Sequence, residues 1–216
     1  MKRALTCSAL AFVLVACATR PPRTPPQPTG SIETLAAAIA TDAQRSDHEP
    51  DPQAREQLAA DALSNAEACL AQQPRAVPCL YGHALALGLQ ARVHPTHAIE
   101  LLNAMLSELT SAEAGDADYD RAGPARVRAL VLLRAPGWPL GPGDADSGLE
   151  SARRAVMLQP DYPPNLLTLA EALAKTGDAA GAKETYTRAR KAAEASTPTA
   201  DRDDWLREAD EGLRRR

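Results

Sequence analysis

Aromatic side chains are scarce in this sequence. Its 216 residues include one Phe, four Tyr and two Trp, whereas alanine and leucine dominate the composition. Stretches in which Val, Ile or Thr alternate with polar residues are also few, and such alternation is the usual signal for a β-strand. Small and unbranched apolar side chains instead let helices pack closely. The sequence therefore predicts one all-α domain.

A block of basic residues is also missing. The formal net charge is −4 at neutral pH, and the few aromatic residues are not interleaved with Lys or Arg, so nothing predicts binding to nucleic acid. The sequence has no Gly-rich phosphate loop, and Ser and His never occur in the context of a nucleophile elbow or a triad. We therefore expect neither an enzyme nor a cofactor.

The first residues predict export to the bacterial cell envelope. Lys2 and Arg3 precede an apolar stretch of about a dozen residues, which is too short to span a bilayer as a stable helix. The stretch ends in Leu-Val-Ala-Cys at 14–17, which resembles a bacterial lipobox; an ordinary secretory signal cut elsewhere is the alternative. The lipobox interpretation makes 1–16 a signal peptide and Cys17 the acylated N-terminus, so that the formal charge becomes −6 once Lys2 and Arg3 are removed.

The segment that follows predicts a tether. Residues 17–30 begin with Cys17 and contain five prolines, so they favour an extended polyproline conformation rather than a helix. At about 3 Å per residue, the segment would hold the folded part roughly 40 Å from the lipid. Residue 18 is Ala rather than Asp, which by the sorting pattern of enterobacterial lipoproteins predicts a lipid-anchored protein of the outer membrane that faces the periplasm.

A repeat of 34 residues is visible in the second half of the sequence. Gly-Asp-Ala occurs at 143–145 and again at 177–179. At matching offsets after the two glycines, the first copy has Gly148, Ala152 and Ala155 and the second has Ala182, Tyr186 and Ala189. Pro160 follows the first copy.

This pattern resembles the tetratricopeptide repeat (TPR), a pair of antiparallel helices with small residues where they cross. Residues 163–196 match it best, and the positions that carry the match are Ala170, Gly177, Ala182, Tyr186, Ala189 and the helix-ending Pro160. An unrelated helical hairpin is the alternative. A single pair of this kind cannot bury its apolar face, so the resemblance implies a stack of pairs. The prediction is a TPR-like α-solenoid over 31–216, with about nine helices and a capping helix at the C-terminus.

Earlier segments fit the same scheme with extra residues. Pro74 and Pro160 are 86 residues apart, which is two repeats of 34 plus 18. The extra residues fall in a turn at 92–95, in a linker at 111–123 and in a Pro/Gly-rich loop between the two helices of the repeat at 124–162. Insertions in a solenoid often gather on one edge and bind partners, so this loop is a candidate site.

The middle of the chain also resembles a group of TPR lipoproteins, the T component associated with TRAP-type transporters (TatT). The resemblance rests on Gly123, Pro124 and Arg126, which open a helix, and on Gly143 and Asp144, which begin the next one. It implies an envelope protein that binds a solute-binding protein or guides a hydrophobic ligand. A carrier of a small apolar or anionic ligand, and a pilotin or scaffold for a secretion, pilus or cell-wall assembly complex, are the alternatives.

Two groups of residues merit a chemical interpretation. Cys69 and Cys79 end one predicted helix and begin the next, in a compartment that permits disulfides, so they form a disulfide or are two small buried apolar residues. His83, His94 and His97 have no diagnostic zinc spacing, and we predict no metal site.

A binding groove is the last prediction. Arg126 and Arg134 are eight residues apart and share a helix face, and Trp138 follows in the inserted loop. Together they would form a cationic groove with an aromatic edge for a carboxylate or a peptide end. The alternative is that the arginines pair with Asp118, Asp120 or Asp144 and simply hold the loop.

Overall fold

The computed structural model describes residues 28–215, and these residues contain nine α-helices. The predicted signal peptide, Cys17 and most of the predicted tether lie outside the described residues. The helices are α1 (Ile32–His48), α2 (Pro52–Gln72), α3 (Val77–Val93), α4 (Ala98–Gly115), α5 (Tyr119–Arg134), α6 (Ala145–Leu158), α7 (Pro163–Lys175), α8 (Ala179–Ala195) and α9 (Ala200–Arg214). The predicted all-α architecture is confirmed.

Local chemistry fixes where most helices begin. Ser31, Asp51, Asp144, Asp178 and Thr199 each accept a hydrogen bond from a backbone N–H of the helix that they precede. This satisfies donors that have no partner in the first turn of a helix. Proline in the first turn contributes at α2, α3 and α7, where a missing N–H costs nothing.

The helices form two layers. Each helix packs against its successor, and the odd-numbered helices also pack against each other, α1 on α3, α3 on α5, α5 on α7 and α7 on α9. The even-numbered helices of the described chain have no such mutual contacts. The odd-numbered helices therefore line the inner, concave face of the solenoid, and the even-numbered helices form its outer face.

Alanine makes the close crossings possible. Ala59, Ala62 and Ala66 on α2 are fully buried against α1 and α3, and Ala170, Ala182 and Ala189 do the same between α7 and α8. Side chains of this size let helix axes approach closely, and Tyr186, Leu166 and Leu173 fill the remaining space in the largest cluster. Helix α9 closes that cluster with Ala209, and with Trp205 and Leu213 at its edge.

The curvature of the inner layer brings the first and last helices together. Gln44 of α1 donates a hydrogen bond to Asp201 of α9, and His48 Nε2 lies 3.2 Å from Asp204 Oδ2. These side chains bridge α1 and α9 although the two backbones are not packed directly. These contacts form a polar seam between α1 and α9 on the inner layer.

The extra residues of the middle repeats adopt three defined structures. A single 3₁₀ turn, Pro95–His97, joins α3 to α4. The segment expected as a linker is partly helical instead, because α4 continues to Gly115 and buries Ala112 completely. Its remainder contains three consecutive residues with left-handed backbone, Asp120, Arg121 and Ala122. The third insertion is the loop at 135–143.

Candidate functional site

The left-handed turn at the start of α5 is the most unusual backbone in the described chain. Asp120, Arg121 and Ala122 have φ angles of 48°, 55° and 62°. For residues with a Cβ this conformation costs about 1–2 kcal/mol each, so the surrounding structure must hold it. Regular helix follows only from Gly123 and Pro124, the residues that the sequence predicted as its beginning.

Two buried side chains hold this turn. Arg126 donates from Nη1 to the carbonyl oxygens of Asp120 and Arg121, at 3.2 and 3.1 Å, and its Nη2 lies 2.8 Å from Asp120 Oδ2. Asn165, which is fully buried on α7, donates from Nδ2 to the Arg121 carbonyl and to the Ala155 carbonyl, both at 3.1 Å. The carbonyl groups of Asp120 and Arg121 cannot bond as in a regular helix, and these two side chains supply their hydrogen-bond donors.

A tyrosine from α3 completes the support. Tyr81 is buried and donates its hydroxyl to Asp120 Oδ2 at 2.7 Å. Burial raises the pKa of Tyr81, so the hydroxyl stays protonated and remains a donor. Gly123 permits the approach, because a Cβ there would lie 2.6 Å from the Tyr81 hydroxyl oxygen.

Aromatic rings extend from this turn along the inner face. Tyr119 stacks edge-on against Tyr81 with ring centroids 5.4 Å apart, and Tyr162 does the same with Trp205 at 5.8 Å. The guanidinium groups of Arg121 and Arg126 lie over the Tyr162 ring, 4.8 and 5.2 Å from its centroid. We call the set Tyr81, Tyr119, Asp120, Arg121, Arg126, Tyr162 and Trp205 the inner-face cluster.

The inner-face cluster concentrates the rare residue type of the chain. Four of the seven aromatic residues belong to it, and α3, α5, α9 and the residue before α7 supply them. Tyr119, Tyr162 and Trp205 are half-buried, while Asp120 and Arg121 are exposed. Burial raises the pKa of Tyr119 and Tyr162, so both rings present a neutral hydroxyl at neutral pH.

Charge at the inner-face cluster is only partly balanced. Asp120 pairs with Arg126, whereas no carboxylate of the described residues lies within ion-pair distance of Arg121. Arg121 therefore offers a cation beside half-buried rings. Such an arrangement can bind a carboxylate or a carbonyl group together with an apolar side chain.

An apolar depression of about 440 Å³ adjoins the cluster between α1, α3 and α5. Alanines of α1 form one wall, and Tyr81, Leu85 and Tyr119 form the other. Glu33 and Asp120 lie at its rim. The depression and the cluster are therefore one continuous surface on the inner face.

A second groove, of about 650 Å³, lies between α7, α8 and α9. Lys175, Lys183, Arg214 and Arg215 line it, and among the described lining residues only Glu171 is acidic. Arg134 donates three hydrogen bonds to the Glu171 carboxylate, two from Nε and one from Nη2, and these bonds raise the pKa of Arg134. The groove therefore carries a local positive excess on a chain of net negative charge.

The structure does not bring the residues of the predicted groove together. Arg126 is buried in the inner-face cluster, Arg134 pairs with Glu171 beside the second groove, and the Trp138 side chain is 90% exposed in the loop. Among described residues, no hydrogen bond, ion pair or aromatic contact joins any two of them. Arg126 has the partner named in the alternative, Asp120, but it holds the left-handed turn rather than the loop.

Cys69 and Cys79 lie at the predicted helix ends and form a disulfide bond with each other. Their Cα atoms are 5.3 Å apart, and both side chains are fully buried. The bond ties the end of α2 to the start of α3.

The histidines are dispersed. His83 Nδ1 lies 3.1 Å from Glu108 Oε1, His94 follows α3, and His97 is exposed beside Thr96. Within residues 28–215, no three His, Cys, Asp or Glu side chains are grouped as a metal site would require.

The predicted repeat positions occupy the core between α7 and α8. Ala170, Ala182, Tyr186 and Ala189 belong to one buried cluster, and Gly177 has the positive φ, 90°, of the turn between these helices. Pro160 is exposed between α6 and α7.

Residues of the inner-face cluster other than Arg126 were not predicted as a site. Of these other residues, only Asp120 entered the sequence analysis, and only as a partner for an arginine. The usable signal was the scarcity of aromatics, since most of the few present converge here. Asn165 could have been noticed as an amide in the apolar first turn of α7.

Comparison with known proteins identifies the fold. No protein-family model matches the sequence, and no curated protein matches it. The chain is similar to the crystal structure of a thermophilic TPR protein from Thermus thermophilus, with 23% sequence identity and a TM-score of 0.56. The match covers 84% of this chain and 92% of that chain. The fold is thus a TPR-like α-solenoid.

Proposed function

We propose that this chain is a lipid-anchored adaptor of the bacterial envelope that binds a segment of a partner protein on its inner face. TPR-like solenoids are typically interaction scaffolds with an extended concave surface. The observation that carries the proposal is Arg121, an exposed cation held over Tyr162 on a strained left-handed turn. Strained backbone that buried side chains maintain is typical of binding and switch sites.

The partner segment that fits the site is apolar with an adjacent carboxylate. Its carboxylate would pair with Arg121, and its apolar side chain would cover Tyr162 and Trp205. Aromatic and arginine side chains supply much of the binding energy in protein interfaces. The polar seam between α1 and α9 limits how a bulky partner can enter, so an extended segment fits better than a folded surface.

Photo-crosslinking tests this placement. A photoreactive amino acid replaces Ala37, an exposed residue on the inner side of α1, or Met157, an exposed residue on α6. We expect position 37 to capture a protein in intact cells, and position 157 to capture none. The capture at 37 should fall about tenfold with Arg121→Ala or Trp205→Ala and remain with the outer-face variant Arg153→Ala, as expected for loss of a binding hot spot. Capture at 157 alone would overturn the proposal.

For the partner, we propose the solute-binding protein of a TRAP-type transport system. Support comes from the resemblance at Gly123, Pro124, Arg126, Gly143 and Asp144, of which the first three build the turn under Arg121. Mass spectrometry of the captured protein decides this point. Capture of a solute-binding protein or transporter subunit supports this partner. Capture of a secretion, pilus or cell-wall assembly protein would instead assign the adaptor to that complex.

Anchoring is tested separately. Cells that express the wild-type chain or Cys17→Ala receive an alkyne-labelled fatty acid, followed by membrane fractionation. We expect label and outer-membrane localisation only for the wild type. No helix within residues 28–215 is long and apolar enough to cross a membrane.

A carrier of a small apolar ligand is the second candidate function, and the depression of about 440 Å³ between α1, α3 and α5 favours it. Native mass spectrometry of the chain purified from its own envelope would detect such a ligand. The carrier function would be favoured over the adaptor function by two results together. A small molecule would be bound and displaced by Ala40→Trp, and no protein would be captured at position 37.

A further inference from the structure

The loop at 135–143 displays apolar side chains outward. Four large apolar residues in the described chain are exposed, and three of them gather at this loop: Trp138 (90% exposed), Leu140 (75%) and Ile99 of α4 (38%). Ile99 belongs to the loop surface, because a Cβ on Gly141 would lie 3.0 Å from its Cδ1 atom. We call Ile99, Trp138 and Leu140 the apolar tip.

Backbone bonds hold the loop in this form. Gly143 donates to the Pro136 carbonyl at 2.8 Å, and Leu140 donates to the Gly137 carbonyl at 2.9 Å. Asp144 donates to the Leu132 carbonyl at 2.9 Å, which fixes the loop to the end of α5. Gly143 is needed there, since a Cβ would lie 2.2 Å from the Ala135 carbonyl oxygen. The outward side chains are thus presented by an ordered loop.

The chemistry of the loop fits a lipid surface. Residues 135–143 carry no charge, and they contain no hydrogen-bonding side chain except the Trp138 indole. Tryptophan prefers the interfacial region of a bilayer, where its ring is apolar and its N–H remains hydrated. The nearest charges in sequence, Arg134 and Asp144, are engaged by Glu171 and by the first turn of α6. They limit insertion to the loop itself.

The length of the chain before α1 allows the loop to reach the membrane. Hydrogen bonding between Gln72 and the Gly30 carbonyl places the start of α1 beside the end of α2, at the opposite end of the helices from the loop. The regular helical part of α5, residues 123–134, corresponds to a separation of about 18 Å between the two ends. If the segment from Cys17 to Gly30 is extended as the sequence predicts, it can span about 40 Å. A lipid on Cys17 and the apolar tip can therefore contact one bilayer together.

We propose that the apolar tip inserts into the interfacial region of a lipid bilayer and is a second membrane contact. The contact builds on the lipid anchor of the proposed function and would fix the orientation of the solenoid relative to the membrane. Because the loop is uncharged, binding depends on apolar burial and not on anionic lipid.

Tryptophan fluorescence tests the insertion directly. The protein is the mature chain 17–216 with Cys17→Ser, which removes the lipid, and Trp205→Phe, which leaves Trp138 as its one tryptophan. With phosphatidylcholine vesicles we expect a blue shift of the emission, and quenching by lipids brominated near the carbonyl end of the acyl chain. The same result is expected when a quarter of the lipid is phosphatidylglycerol. Unchanged emission and no quenching would overturn the proposal, as would binding that requires the anionic lipid.

Vesicle flotation with matched variants separates insertion from adsorption. Trp138→Ala/Leu140→Ala should lower the vesicle-bound to free ratio about tenfold or more, which is the effect expected for losing two apolar side chains. Met157→Ala, which removes an apolar side chain that is 70% exposed on α6, should change it less than about twofold. Equal effects of the two variants would contradict the proposal.

The outcome is independent of the proposed anchor, because both assays use a chain without lipid. The vesicle assays therefore test the apolar tip even if Cys17 is found not to be acylated. If the double variant instead loses a cross-linked protein while its vesicle partition is unchanged, the apolar tip is a protein contact and the lipid proposal is wrong.

Discussion

Arg126 Nη1 and Asn165 Oδ1 are joined by a hydrogen bond of 3.1 Å, and both side chains also donate to the carbonyl of Arg121. Arg126 is on α5 and Asn165 is on α7, 39 residues later. This buried pair connects the third and fourth helix pairs of the solenoid. It also places Arg121 on the inner face in a conformation that the chain would not otherwise adopt.

The first prediction concerns this pair. Arg126→Met removes the donor to two carbonyls, to Asn165 Oδ1 and to the Asp120 carboxylate, so we expect the free energy of unfolding to fall by about 3 kcal/mol. Urea denaturation measures the loss. The control is Arg190→Met, which breaks exposed ion pairs with Glu194 and Asp210 and should cost less than about 1 kcal/mol. Equal losses would mean that Arg126 does not support the turn.

The second prediction compares the stability of glycine and alanine variants at Arg121. Its φ of 55° and ψ of 54° favour residues without a Cβ, so Arg121→Gly should be about 1 kcal/mol more stable than Arg121→Ala. Both variants lose the contact with Tyr162, and their difference isolates the backbone. Arg188 is an exposed position within α8, where alanine is the better helix former. Arg188→Ala should therefore be about 1 kcal/mol more stable than Arg188→Gly. The same order at both positions would exclude the left-handed turn.

The third prediction concerns the disulfide. Cys69 and Cys79 close a short loop, with a sequence separation of 10, and chain entropy predicts a stabilisation of about 3 kcal/mol. Thermal unfolding with and without a reductant should show a lower Tm in the reduced state. Cys69→Ala/Cys79→Ala serves as the reference, since the reductant should leave its Tm unchanged. An equal shift in that variant would assign the effect to another cause.

The fourth prediction concerns the pH dependence of a helix cap. Hydrogen bonds from the backbone and hydroxyl of Ser147 lower the pKa of Asp144 below its ordinary value of 3.8. A lowered pKa in the folded state means that the carboxylate stabilises the fold above pH 3.8, and that this contribution is lost as the pH falls through the folded-state pKa. Asp144→Ala should therefore be less stable than the wild type at about pH 7, with a smaller difference at about pH 3.

Asp144→Asn separates capping from charge in this experiment. Asparagine is also a good N-cap, so the variant should retain most of the stability at about pH 7 and lose the pH dependence. If Asp144→Ala and the wild type differ by the same amount at both pH values, the carboxylate charge makes no contribution.

Helix positions were largely predictable because they depend on near neighbours in sequence. Helix caps such as Ser31, prolines in first turns and the spacing of small residues each act within a few positions. The error was an extension: α4 continues to Gly115, into the segment expected as a linker. Tertiary burial of Ala112 stabilises a turn whose local pattern is weak.

The candidate site was mostly unpredictable for a different reason. Tyr81, Arg121, Tyr162 and Trp205 belong to different helix pairs, and nothing in their spacing indicates that they meet. Arg126 and Arg134 show that the opposite inference also fails. They share a face of α5, yet Arg126 lies in the inner-face cluster and Arg134 lies beside the second groove.

The sequence by itself determined the helices, their caps and the small residues at their crossings, because these follow from hydrogen bonding and side-chain size within one or two turns of chain. Only the tertiary structure decided the curvature of the inner layer, and with it the seam between Gln44 and Asp201 and the gathering of the inner-face cluster. The physical reason is that small displacements at each helix crossing add up along a solenoid. The strained turn at Asp120–Ala122 exists for the same reason, since donors from α3, α5 and α7 must all be in place to hold it.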